Sequence, residues 1–101
     1  MPDIDASPAD LKTVRALCQD FAPGVEVWAF GSRVTVTSSR RSDLDIALIT
    51  EKPLDIGALA DLKEALAESN LPFRVDVVDW AATAPRFQEI IARHHVVISP
   101  R

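Results

Sequence analysis

Cysteine is almost missing from this chain. Cys18 is the one thiol in 101 residues, which excludes an internal disulfide framework and fits a reducing compartment. The opening stretch MPDIDASPAD has neither a cationic segment nor an apolar run after it, and no apolar run anywhere approaches a membrane span. A cytoplasmic protein with no membrane association is therefore expected. An excess of positive charge is lacking too: 11 Lys and Arg against 15 Asp and Glu give a net charge of −4, which argues against direct, general nucleic-acid binding. There is no internal repeat, low-complexity tract or linker, so a single domain over residues 1–101 is expected.

The hydrophobic fraction of 48% beside 26% charged residues is ordinary for a globular chain. A chain of this size buries roughly 60 to 70% of its unfolded surface, enough for one core without staples. Ser7-Pro8-Ala9-Asp10 reads as a helix start, with Ser as the cap and Pro at the first helical position. Leu11, Val14, Leu17, Cys18 and Phe21 then recur at helical spacing until Pro23-Gly24. Val25 to Phe30 reads as a strand, Ser32 to Arg41 as a short helical turn plus a loop that is mobile without ligand, and Asp43 to Thr50 as a second strand. Asp55 to Ser69 is a helix with Ile56, Leu59, Leu62 and Leu66 on one side. Phe73 to Trp80 is a third strand, Ala84 to Arg93 a helix with Phe87, Ile90 and Ile91 as its buried face, and Val96 to Ile98 a last extended piece.

The chemistry concentrates between Trp28 and Thr50. Asp43 and Asp45 are two residues apart at the start of a strand, so both point to one face while Leu44, Ile46 and Leu48 point to the other. Like charges held side by side destabilise each other unless a cation intervenes, so this pair asks for a metal ion. At the end of the preceding strand, the backbone amides of Gly31-Ser32 and the Ser32 hydroxyl are available to phosphate oxygens. No Gly-Lys-Ser/Thr follows, so this is not a Walker A loop. Arg33, Arg40 and Arg41 fall close together and could face a triphosphate. With oxygen ligands and no His or Cys cluster nearby, Mg²⁺ or Mn²⁺ suits the site better than zinc. His94-His95 cannot share one metal as helix neighbours and reads as structural, and Trp28 and Trp80 read as packing aromatics.

Gly31-Ser32-Arg33, followed at short distance by Ser42-Asp43-Leu44-Asp45-Ile46, resembles the signature of the polymerase-beta superfamily of nucleotidyltransferases. In its short form it resembles the minimal nucleotidyltransferases called MNT-domain proteins, many of which are antitoxins paired with HEPN-domain toxins. The resemblance covers nearly the whole chain, although a stiff Val34-Thr35-Val36 run stands where that family often has a glycine-containing turn. It implies a nucleotidyltransferase-like α+β fold: a small mixed sheet of three to four strands with helices packed on one face. In that family a third carboxylate comes from the strand after the intervening helix, and Asp76 is the matching position. Asp79 is the fallback, although it faces the other side of the same strand.

The resemblance also implies in-line transfer of a nucleoside monophosphate, AMP from ATP, on two metal ions. Asp43, Asp45 and Asp76 would be the metal and catalytic residues, and Gly31, Ser32, Arg33 and Arg41 would bind the nucleotide. The acceptor would be a hydroxyl of a HEPN-type toxin in a hetero-oligomer, switched off by the modification. Two alternatives stay open at this point. One is the catalytic subunit of a small-molecule transferase acting on aminoglycoside-like acceptors; the other is a degenerate module that occludes its partner without chemistry.

Overall fold

The computed structural model describes residues 4–34 and 43–100. Helix α1 spans Pro8–Phe21 and begins as its sequence dictates, with the Asp10 amide donating to the Ser7 hydroxyl at 3.1 Å. It ends at Ala22, and Gly24, at φ +77°, turns the chain into strand β1, Glu26–Phe30. A single 3₁₀ turn, Ser32–Val34, follows. Strand β2 is Leu44–Ile49, and helix α2, Ile56–Glu68, is capped by the Asp55 carboxylate, which accepts from the Ala58 amide at 3.1 Å. Strand β3 is Val75–Asp79, helix α3 is Pro85–Arg93 and strand β4 is Val96–Ser99. The rest of the expected loop after the 3₁₀ turn, with Arg40, Arg41 and Ser42, lies outside the described residues.

The four strands form one mixed sheet in the order β3-β2-β1-β4. Strand β1 is antiparallel to both neighbours, whereas β2 and β3 are parallel. A parallel pair needs a crossover, and α2 is that crossover. This is the α+β class expected.

Period-two alternation sends Val27 and Ala29 of β1 and Leu44, Ile46 and Leu48 of β2 to one face, all fully buried. Helices α1 and α2 cover them with Leu11, Val14, Cys18, Leu62 and Leu66. Truncating Leu62, central to this cluster, to Ala would cost about 2–5 kcal/mol in lost transfer energy and cavity. Burial pushes the Cys18 thiol up to about 12, so it packs as a small hydrophobe and is no nucleophile.

Helix α3 meets the opposite face. Phe87 packs edge-on against Phe30, with ring centroids 5.9 Å apart. Trp28 stacks on His95 at 3.7 Å and meets the edge of Trp80 at 5.2 Å, so both indoles are packing groups as expected. A ring nitrogen of His94 lies 3.3 Å from the Val34 carbonyl, while one of His95 lies 3.0 Å from that of Ala92. The two imidazoles are thus tied to different backbone oxygens, in keeping with structural roles. Only Ile91 of the expected buried face of α3 is fully buried; Phe87 is 40% and Ile90 57% exposed. No described helix is long and apolar enough to cross a membrane.

Candidate active site

The sheet register assembles the carboxylates. Asp45 is the cross-strand partner of Phe30 on one side and of Asp76 on the other. Residues paired in register share a face, so Asp45 and Asp76 lie side by side on the face that does not carry the core. Asp43 stands two residues before Asp45, just ahead of β2, whose first residue Leu44 donates its amide to the Arg74 carbonyl at 2.8 Å. Desolvation by burial, and then the charges of Asp76 and Asp43, push the Asp45 carboxyl above its ordinary value.

Gly31 closes over this cluster. Its φ of +80° lies in the left-handed region, and a Cβ there would sit 2.1 Å from Asp45 Oδ2. Any side chain at position 31 would therefore occupy the space of the Asp45 carboxylate. The 3₁₀ turn that follows is closed by the Val34 amide donating to the Gly31 carbonyl at 3.1 Å, and it carries a half-buried Ser32. The Gly31 turn thus abuts a group of oxygen acceptors.

Among the described residues, no three His, Cys, Asp or Glu side chains converge as a preformed metal cage. Mg²⁺ is ordinarily held by one or two carboxylates together with substrate phosphates and water, not by an all-protein cage. Adjacent hard-oxygen carboxylates, one of them made reluctant to ionise by burial and by the others, fit such an ion.

The remaining carboxylate of β3 differs from expectation. Asp76, the position that matches the family's third carboxylate, is exposed; the buried charge of β3 is Asp79, at 7% exposure. Its carboxylate accepts from the Thr50 hydroxyl and, at 2.7 Å, from the Leu54 amide. The Thr50 hydroxyl in turn accepts from the Ala81 amide at 3.1 Å. Asp79 therefore ties the end of β2 to the end of β3, and has no place in the cluster.

Arg33 is buried, with its guanidinium 4.4 Å over the Phe73 ring and its Nη1 donating to the Asp5 carbonyl at 2.6 Å. Arg41 lies outside the described residues. A feature that the sequence did not disclose is an apolar cleft of about 500 Å³ that opens onto Asp45 and Asp76, walled by Phe30, Val78, Phe87 and Ile90. Its signal was the apolar stripe of α3, which reads equally well as core.

Residues 12–101 match the family described as polymerase beta, nucleotidyltransferase. A Haemophilus influenzae protein named probable protein adenylyltransferase MntA is 47% identical over 98 residues, which is 97% of this chain and 86% of that protein. Among solved structures, a toxin-antitoxin crystallised with AMP-PNP is similar at TM-score 0.77 and 27% identity, over 90% of this chain and 73% of that one. A tri-AMPylated Shewanella oneidensis HEPN toxin in complex with MNT antitoxin gives TM-score 0.72 at 23% identity, over 92% and 71% of the two chains, a likeness of fold.

Proposed function

Since the chain belongs to the polymerase beta nucleotidyltransferase family, we propose that it is a protein adenylyltransferase that moves AMP from ATP to a hydroxyl of a HEPN-type toxin, acting as the antitoxin of the pair. The observation that carries this reading is Gly31 seated directly on Asp45, with Asp76 at its side: a Gly-Ser turn in contact with a carboxylate cluster. The relative named as a protein adenylyltransferase and the toxin-antitoxin with AMP-PNP support the same nucleotide and the same kind of partner.

In this reading the Gly31-Ser32 turn receives the β- and γ-phosphates through backbone amides and the Ser32 hydroxyl. Asp43, Asp45 and Asp76 would hold Mg²⁺, or Mn²⁺ in its place, which would supply charge shielding for the triphosphate and a lowered pKa for the acceptor hydroxyl. The acceptor oxygen bonds to the α-phosphorus as the bond to the bridging oxygen breaks and pyrophosphate leaves. The hydroxyl proton departs on the open side of the cluster, where Asp76 is exposed. Arg41 supplies positive charge to the leaving pyrophosphate.

The acceptor approaches through the cleft between Phe30, Val78 and α3, which opens beside Asp45 and Asp76. A docked protein brings its own wall and orientation. Added bulk and phosphate charge on the toxin then switch it off.

The test is mass spectrometry of the cognate toxin after incubation with this chain, ATP and Mg²⁺. A gain of one or more AMP units that disappears with Asp45→Asn is expected. A toxin that is inhibited yet unmodified would overturn the reading.

A further inference from the structure

The arginine of the Gly-Ser-Arg triplet is turned into the protein. The Arg33 side chain is 7% exposed, and its backbone and side chain both engage Asp5: the Asp5 amide donates to the Arg33 carbonyl at 2.7 Å, and Arg33 Nη1 donates to the Asp5 carbonyl at 2.6 Å. The Asp5 carboxylate, 61% exposed, lies 3.9 Å from Nη1 as an ion pair, longer than the bond to the carbonyl. The flat side of the guanidinium lies on Phe73, three residues before Asp76. One side chain thus links the N-terminal segment, the turn under Gly31 and the approach to β3.

We infer that Arg33 is a positioning residue: it clamps the Gly31–Val34 turn between Asp5 and Phe73, and so fixes the phosphate-binding amides relative to Asp45 and Asp76. This deepens the transferase reading and rests on it for the role of the turn. A guanidinium suits the task because it is planar and always charged, stacking on a ring while its edge donates to a carbonyl; lysine keeps the charge but not the stack. The sequence alone had placed Arg33 on the phosphates. A phosphate ligand and a clamp differ in what Phe73 does.

The experiment uses the full chain with Arg33→Lys, Phe73→Leu and the double variant. Amide hydrogen exchange reads the clamp without nucleotide. The Asp5 and Val34 amides, both bonded within it, should exchange about tenfold faster in either single variant, while the Ile46 amide in the central strand keeps its wild-type rate. Affinity for a non-hydrolysable ATP analogue should fall roughly tenfold in each single variant and hardly further in the double, because both break one unit. Wild-type exchange at Asp5 and Val34 in Phe73→Leu would overturn the clamp. So would analogue affinity lost in Arg33→Lys but kept in Phe73→Leu, which marks a direct phosphate contact. If the wild-type chain binds no analogue, the transferase reading falls, and the exchange rates still decide the clamp.

Discussion

Gly31 and Asp45 occupy one another's space: the point where a Cβ of residue 31 would stand is 2.1 Å from Asp45 Oδ2. Glycine is required there twice over, by the left-handed backbone and by the carboxylate pressed against it. Gly31→Ala should therefore cost about 1–2 kcal/mol for the backbone alone, with a further loss from displacing Asp45. In an Asp45→Ala background the second part vanishes, so the same glycine substitution should cost less. Urea unfolding of the four proteins measures that coupling, and a coupling of zero would mean that the two residues do not touch.

Asp45 also fixes a pH dependence. Its carboxyl is pushed upward by burial and by the charges of Asp76 and Asp43, so the folded chain binds its proton more tightly than the unfolded one. The ionised residue then destabilises the metal-free protein at neutral pH, and that penalty is lost as pH falls through the raised folded value toward the ordinary carboxylate range. Asp45→Asn should raise the neutral-pH Tm in chelator, and its advantage should shrink on acidification. A variant less stable than wild type at pH 7 in chelator would contradict this.

The same repulsion predicts stabilisation by cation. Mg²⁺ or Mn²⁺ at a hundred times its dissociation constant should add about 2.7 kcal/mol to the wild-type protein. Asp45→Asn should gain much less, and calorimetric scans with and without the ion compare the two.

The sequence disclosed the alternations and hid the register. Period two was enough to place Asp43 and Asp45 opposite Leu44, Ile46 and Leu48, and caps such as Ser7 and Asp55 announce their helices through their own chemistry. That Asp45 pairs with Asp76 depends on how a 13-residue crossover helix sets two parallel strands, which no local pattern encodes. Asp76 and Asp79 look alike as carboxylates in an apolar run. What separates them is that the turn after β2 brings Thr50 and Leu54 to Asp79, a tertiary event. The burial of Arg33 was hidden for a similar reason, since its partners Asp5 and Phe73 are 28 and 40 positions away in the chain.

The contrast between the two β3 carboxylates gives a clean separation of stability from chemistry. Asp79→Ala leaves the Thr50 hydroxyl and Leu54 amide without their acceptor, at about 1–3 kcal/mol for each buried group, whereas Asp79→Asn keeps an acceptor and should cost less. Asp76→Asn, at an exposed position, should leave stability within about 0.5 kcal/mol and remove transfer. Chemical unfolding together with toxin modification per folded molecule would show the two effects crossing. Loss of transfer in a fully folded Asp79→Asn would mean that the fourth carboxylate belongs to the site after all.

The apolar cleft allows the acceptor side to be tested apart from the nucleotide side. Ile90, 57% exposed, and Phe87, 40% exposed, project from α3 beside Asp45 and Asp76 while making little of the core. In the proposed function these open apolar side chains beside the carboxylates are covered when the toxin docks, and the minority of central interface residues that carry the binding energy contribute more than about 1 kcal/mol each. Ile90→Ser removes the apolar contact without adding charge to the carboxylate cluster, and at an exposed helix position it should shift stability by no more than about 0.5 kcal/mol. Toxin modification should then slow by about tenfold or more. Affinity for an ATP analogue should stay at the wild-type value, because the proposed function puts the phosphates on the Gly31-Ser32 turn. Weaker analogue binding in Ile90→Ser would place the nucleotide, and not the toxin, in this cleft.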